Sequence, residues 1–420
     1  MTTLTRRHLA LAGLGIGLLA LHVIDDSFLQ PQPGTSAGDH LAGGLVPLAL
    51  IGVAAAAYPR IRAGARAMLA LLFGLLALVM GVTEAGYYTL KVGPSGDDYT
   101  GLLTIAAGFL LLGLGVATLW TTRKLHDGRV RRYVRRVLIV VAGVAVAAEL
   151  VFPIAFGYGA TRILRPVVPA ATLGTAYEDV SFETSDGLEL RGWYIPSRNG
   201  AAIIAFPGRS GPQKPARFLA RHGYGVLLFD RRGESESDGD GNLFGWGGDK
   251  DIRAGIAYLK TRADVDPGRI GGIGLSVGGE LMLQAAAETD ELAAVVSDGA
   301  GTRSFAEEME EFHGVGKWLG LPMLAMKTAS VAVFSNTAPP PKLTDLVRRI
   351  EQPLFLIYAS DGGAETMNPA YYRLARGPKT IWGIPEIGHM GGITAHPEEY
   401  ERRVVGFFDR ALGTDDGSRR

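Results

Sequence analysis

Cysteine is absent from all 420 residues. That excludes structural disulfides, thiolate metal ligands and a cysteine nucleophile, and it is compatible with either redox compartment. An excess of one charge is missing too, because 42 Lys and Arg face 42 Asp and Glu. A balanced chain generates no global field for an acidic polymer, so no nucleic-acid partner is expected. Repeats at solenoid periods and low-complexity tracts are lacking. Long apolar runs are lacking only after residue 160; before it they dominate. At this length two units are expected, and the shift in composition separates them there.

Five segments, near 8–24, 41–58, 67–88, 101–120 and 137–157, are apolar enough to approach or cross a hydrocarbon core, which takes about 20 helical residues. A buried soluble helix keeps a polar face, whereas GLLTIAAGFLLLGLGVATLW has none, so residues 1–160 are expected to be a multi-pass helical unit. Basic residues set its orientation. Arg6 and Arg7 precede the first segment, and Arg60, Arg62 and Arg66 follow the second. The stretch TTRKLHDGRVRRYVRR, with seven basic residues and one acid, precedes the fifth. The alternate loops, DDSFLQPQPGTSAGD and LKVGPSGDDYT, are acidic. The alternation predicts a cytoplasmic N-terminus in the cell membrane and an extracytoplasmic C-terminal unit. TRRHLALAG also faintly resembles an export signal, but no clean cleavage site follows it, so an uncleaved helix is expected. Glu84, Glu149, His22, Asp25, Asp39 and His40 lie inside or near segment ends, where ionisable groups are functional candidates or interface anchors.

ATRILRPVVPAATLGT is expected as a linker over 161–176. From 177 to 412 the pattern alternates between strand and helix. YEDVSFETSDGLELRGWYIP predicts a hairpin. AAIIAFPG, YGVLLFD, RIGGIGL, LAAVVSDG, PLFLIYAS and KTIWGIPEIG predict strands separated by helical patterns. This rhythm predicts an α/β fold, a mostly parallel sheet with helices on both faces. It breaks over about 303–346, where an inserted cap is expected. Lys317, Pro322 and Lys327 argue against a further membrane crossing there. Residues 413–420 are expected to form a disordered tail.

The chemistry centres on RIGGIGLSVGGELML. Gly274-Leu-Ser276-Val277-Gly278 matches G-x-S-x-G with a strand before it and a helix after it, the context in which a serine is presented as a nucleophile on a sharp turn. Gly274 and Gly278 are small because side chains there would meet the neighbouring strand and helix. A serine hydroxyl needs a base, and His389, just after the last strand, is in the right place. For the acid, Glu365, four residues before Pro369, is favoured over Asp361, which follows its strand more closely. The oxyanion donors are expected to be the backbone N–H groups of Val277 and Arg209; Pro207 has no N–H to give.

These motifs, with the run Asp230-Arg-Arg232-Gly233-Glu-Ser-Glu-Ser237-Asp-Gly and the entry hairpin VSFETSDGLELRGWYIP, resemble the α/β-hydrolase superfamily. Within it they look like the membrane-anchored Bem46-like and serine-aminopeptidase-like groups. The resemblance covers about 177–412 and departs from the usual pattern at Pro207 and at the first serine of Glu-Ser-Glu-Ser. It implies a serine hydrolase acting on an ester, thioester or amide, with a small-molecule, lipid or peptide substrate, membrane lipids around the helices, and no cofactor or metal. It also implies a structural role for Arg232. The competing expectations are a non-catalytic receptor or scaffold on the same fold and, ranked last, a transporter with an accessory soluble domain.

Overall fold

The computed structural model describes residues 3–122, 145–162 and 165–414, with 134, 137, 138, 141 and 143 between them. Two compact units emerge, one of residues 1–164 with 319–337, the other of 165–318 with 338–420. Residues 319–337, expected as part of a cap, group with the helical unit.

In the helical unit, the segments Arg6–Leu29, Ala63–Lys91 and Asp98–Thr121 are long and apolar enough to cross a membrane, and Leu41–Ala57 is a shorter apolar helix. Much of the expected fifth segment and its basic flank lies outside the described residues. The helices Ala63–Gly81 and Asp98–Thr122 approach through small residues spaced by seven. A Cβ at Gly74 would lie 2.8 Å from Leu112 N, one at Gly108 2.9 Å from Gly74 O, and one at Gly115 3.0 Å from Ala67 O. Small residues let the two backbones approach closely, so that van der Waals contact between the helices is extensive. Three π-helical turns, Asp25–Leu29, Val82–Gly86 and Ala147–Val151, each carry acidic side chains.

The second unit is built on eight strands: β1 Glu178–Glu183, β2 Glu189–Ile195, β3 Ala202–Phe206, β4 Gly225–Phe229, β5 Ile270–Leu275, β6 Ala294–Asp298, β7 Leu354–Ala359 and β8 Lys379–Ile384. They lie in the order β1-β2-β4-β3-β5-β6-β7-β8. β1 and β2 run antiparallel to their neighbours, and the strands from β4 to β8 are parallel. β3, β4 and β6 are buried along their whole length, which is why their sequences are continuous apolar runs without alternation. One apolar layer holds Ile252, Ile256, Leu281 and Met282 against the sheet; the other holds Phe218, Leu219, Val404 and Phe408.

This topology positions a site. The chain leaves β3 for β4 on one side and then returns to β5 on the other. The loops at the carboxyl ends of β3 and β5 therefore diverge and open a crevice, where ligands bind in open parallel sheets.

Candidate active site

Ser276 sits at the carboxyl end of β5 with φ 53° and ψ −121°, a conformation that costs about 1–3 kcal/mol in a residue with a Cβ. Hydrogen bonds hold it there: Ser276 N donates to Asp298 O at 2.8 Å, and Ser276 O accepts from Gly279 N at 2.8 Å. The flanking glycines are a steric necessity. A Cβ at Gly274 would lie 2.1 Å from Gly278 O, and one at Gly278 2.6 Å from Pro207 Cδ.

The structure brings Ser276, His389 and Glu365 into one chain of hydrogen bonds. His389 Nε2 lies 2.8 Å from Ser276 Oγ, and Nδ1 lies 2.5 Å from Glu365 Oε1. The Glu365 side chain is 2% exposed and that of His389 43%, so the acid is sealed in while the imidazole is open to a substrate. Glu365 is further fixed by Ala359 N at 2.6 Å on Oε2 and Met390 N at 3.2 Å on Oε1. Asp361 is not brought to the histidine. Its Oδ2 accepts from Glu386 N at 2.7 Å, which pins the turn carrying Glu386, at φ 59°, ahead of His389.

Val277 opens the helix Val277–Glu288, and the N–H groups of a first turn have no partner within their own helix. Its amide is therefore available beside Ser276. The expectation for Arg209 is corrected. Its backbone N donates to Asp230 Oδ1 at 2.7 Å while its guanidinium holds Oδ2 of the same carboxylate. Asp230, just past β4, is buried, and Arg209 meets its carboxylate with both backbone and side chain, because an unpaired buried charge is costly. The Arg209 amide is engaged in the loop, not presented to an oxyanion.

Several site residues carry no motif. A Cβ at Gly299 would lie 2.9 Å from Met390 Cγ and 3.2 Å from both Glu365 Oε1 and His389 Cε1, so glycine, here at φ 77°, leaves the acid–imidazole contact uncrowded. Asn368 donates to Ala300 O at 2.8 Å and to Glu365 O at 2.9 Å, tying the acid's loop to the end of β6. Asp298, buried beside them, accepts from Tyr400 Oη at 2.8 Å. Burial pushes its carboxyl up to about 7, with the hydrogen bond from Tyr400 opposing and the Glu365 charge adding to the shift. The Asp298–Gly299 pair was visible only as the last residues of a strand.

A separate acidic group lies in the helical unit. One ligand oxygen each from Asp26, Glu84 and Asp97 falls within 4.8 Å of the others, a spacing that could hold a metal ion. Arg162 Nε lies 3.4 Å from Asp26 Oδ2. Of the other ionisable groups there, His22 Nδ1 lies 3.1 Å from Thr100 Oγ1, which donates to Asp25 at 2.7 Å. Asp39 instead accepts from Ser36 N and Oγ.

The model of the X-Pro dipeptidyl-peptidase (S15) family matches residues 160–364. An uncharacterized protein of Mycobacterium tuberculosis strain H37Rv is 36% identical over 289 residues, 64% of this chain and 92% of its own length. The α/β hydrolase domain-containing protein WAV2 of Arabidopsis thaliana is 27% identical over 296 residues, 65% of this chain and 92% of its own length. The chain belongs to the α/β-hydrolase superfamily. Among solved structures it is similar to an esterase of Pyrococcus furiosus, at 24% identity and a TM-score of 0.46, covering 60% of this chain and all of that one.

Features of the α/β-hydrolase pattern find local explanations here. Ser235, at the position where the superfamily pattern has glycine, keeps the glycine-like backbone at φ 48°. Arg232 of the D-x-R-G run pairs with Asp251 at 2.7 Å and Asp186 at 2.9 Å, clamping the entry hairpin to the loop after β4. Arg232 therefore acts as a strut of the α/β-hydrolase frame.

Proposed function

We propose that this α/β-hydrolase is a membrane-anchored serine hydrolase that cleaves an ester, thioester or amide through an acyl-enzyme. The hydrogen-bonded chain from Ser276 through His389 to Glu365 is the observation that carries this reading. His389 Nε2 takes the Ser276 Oγ proton as Oγ attacks the scissile carbonyl carbon, and the carbonyl π electrons move onto oxygen. The Val277 N–H supplies one hydrogen bond to that oxyanion. Collapse of the tetrahedral centre expels the leaving group, which receives the proton from His389 and leaves an acyl ester on Ser276. Water, deprotonated by the same imidazole, then releases the acid. Glu365 keeps Nδ1 protonated and stabilises the imidazolium; it exchanges no proton itself.

The charge alternation of the loops supports a cell-membrane, multi-pass placement with the N-terminus in the cytoplasm and Ser276 outside. The test of activity is hydrolysis of p-nitrophenyl esters of graded chain length beside aminoacyl anilides. A rate abolished by Ser276→Ala on either series supports the reading and separates esterase from peptidase; a rate that Ser276→Ala leaves unchanged contradicts it.

A further inference from the structure

Buried polar atoms are almost always hydrogen-bonded, and each exception asks for an explanation. Around the loop that follows β4, several exceptions cluster, and all are donors. Arg231 Nε and Nη1, Asn242 Nδ2, Trp246 Nε1 and Arg303 Nε are buried without a hydrogen-bond partner among the described residues. Their residues are 7%, 5%, 5% and 3% exposed. Arg303 Nε has only an ion-pair contact at 3.6 Å with Glu280.

Two of these side chains, Arg231 and Arg303, meet at Gly245, and Asn242 and Trp246 belong to the same loop. A Cβ there would lie 3.1 Å from Arg231 Nη1 and 3.0 Å from Val277 Cγ2, so the Arg231 guanidinium is one side chain away from the residue after Ser276. Arg303 Nη2 reaches Gly245 O at 3.4 Å, and Trp246 is the next residue. Asn242 Oδ1 accepts from Phe244 N at 2.9 Å. That bond fixes which end of the amide is spent and leaves the NH2 as the unpaired end.

The neighbouring Arg232 shows the contrast. It sits one position on and is paired to two carboxylates, whereas among the described residues the Arg231 guanidinium is paired with Glu234 alone, through Nη2. Guanidinium, indole N–H and amide NH2 can only donate in this arrangement. Such a set matches an oxygen anion and rejects an ammonium group. Burial also pushes the Glu280 carboxyl up to about 7, which weakens its compensation of Arg303 near neutral pH.

We infer that Arg231, Asn242, Trp246 and Arg303 receive a carboxylate carried by the substrate, so that the bond presented to Ser276 belongs to an acidic molecule such as a dicarboxylic acid monoester. The inference deepens the serine-hydrolase reading and rests on it for the position of the scissile bond.

Binding can be tested without catalysis. The full-length Ser276→Ala chain in detergent is titrated calorimetrically with monomethyl succinate and with dimethyl succinate. The expected result is at least tenfold tighter binding of the acid, lost in Arg231→Met. Asn242→Asp keeps the oxygen that accepts from Phe244 N but replaces the donor by a negative charge, and it should repel the acid selectively. Equal affinities, no saturable binding of the acid, or a preference that survives both substitutions would overturn the inference and leave those donors to internal water only. A parallel kinetic arm compares p-nitrophenyl hemisuccinate with p-nitrophenyl butyrate, and Arg231→Met should lower kcat/KM for the hemisuccinate at least tenfold more than for the butyrate. Binding of the acid with cleavage of neither ester would sink the hydrolase reading alone. Cleavage of butyrate with no preference for the acid would sink this inference alone.

Discussion

Glu365 places Oε1 2.5 Å from His389 Nδ1 from inside the core, where its side chain is 2% exposed. The other acid of the same loop, Asp361, lies 2.7 Å from Glu386 N and has a different task. This division of labour makes the two carboxylates separable by experiment. Glu365→Gln keeps shape but cannot stabilise an imidazolium, and kcat should fall by about 10³–10⁴. Asp361→Asn keeps an oxygen for Glu386 N, and kcat/KM should change by less than about threefold. Steady-state kinetics of both variants on one p-nitrophenyl ester checks this; equal losses would contradict the assignment.

The elbow glycines give a stability prediction. A Cβ at Gly274 would meet backbone, Gly278 O at 2.1 Å, which cannot swing aside as a side chain can. Gly274→Ala should destabilise by about 3 kcal/mol, at the upper end for overpacking. Gly268→Ala is the control, since the nearest atom to a Cβ there is Asp266 Oδ1 at 3.4 Å. Thermal unfolding of the two variants should show a lowered midpoint for the first and little change for the second.

Asp298 predicts a pH dependence with a definite sign. Its carboxyl rises from an ordinary value of 3.8 to about 7 in the folded chain. The folded state therefore holds a proton that the unfolded state releases, so this contribution is complete below the unfolded value and lost as pH rises to the folded one. The loss is on the order of 4 kcal/mol for a shift of that size. Asp298→Asn keeps an acceptor for Tyr400 and should remove the slope. Melting curves from pH 4 to 8 should diverge above about pH 5, with the variant the more stable; parallel curves would contradict the assignment.

The absence of cysteine makes topology directly measurable. Ser95→Cys and Arg402→Cys should react with a membrane-impermeant maleimide on intact cells, and Ala65→Cys only after permeabilisation. All three positions are exposed in the fold. Labelling of Ala65→Cys alone on intact cells would reverse the orientation.

The sequence already held the strands, because a parallel strand buried on both faces is a run such as AIIAF that nothing else explains. It also held the elbow, since Gly274 and Gly278 are needed whatever the substrate. Other features depend on contacts with no local signature. The Arg209 amide is taken by Asp230, 21 residues away, and no pattern in the β3 loop shows that. Gly299 is required by Glu365 and His389, which approach it only after β7 and β8 are in place. Arg231 and Arg232 look alike as neighbours in sequence, yet Arg232 finds two carboxylates whereas Nε and Nη1 of Arg231 have no hydrogen-bond partner among the described residues. Residues 319–337, most of them in the helix Val315–Phe334, have the composition expected of a cap, and their grouping with the helical unit is set by packing such as that of Gly157 on Ser330, where a Cβ would lie 2.5 Å from Ser330 Cβ.

The most direct test of the central claim is covalent. The full-length chain is treated with a fluorophosphonate probe and the adduct is located by peptide mass mapping. A single adduct on Ser276, formed quickly in the wild type, slowed by orders of magnitude in His389→Ala and absent in Ser276→Ala, is the predicted result. An unlabelled wild-type chain, or an adduct elsewhere that survives Ser276→Ala, would contradict it.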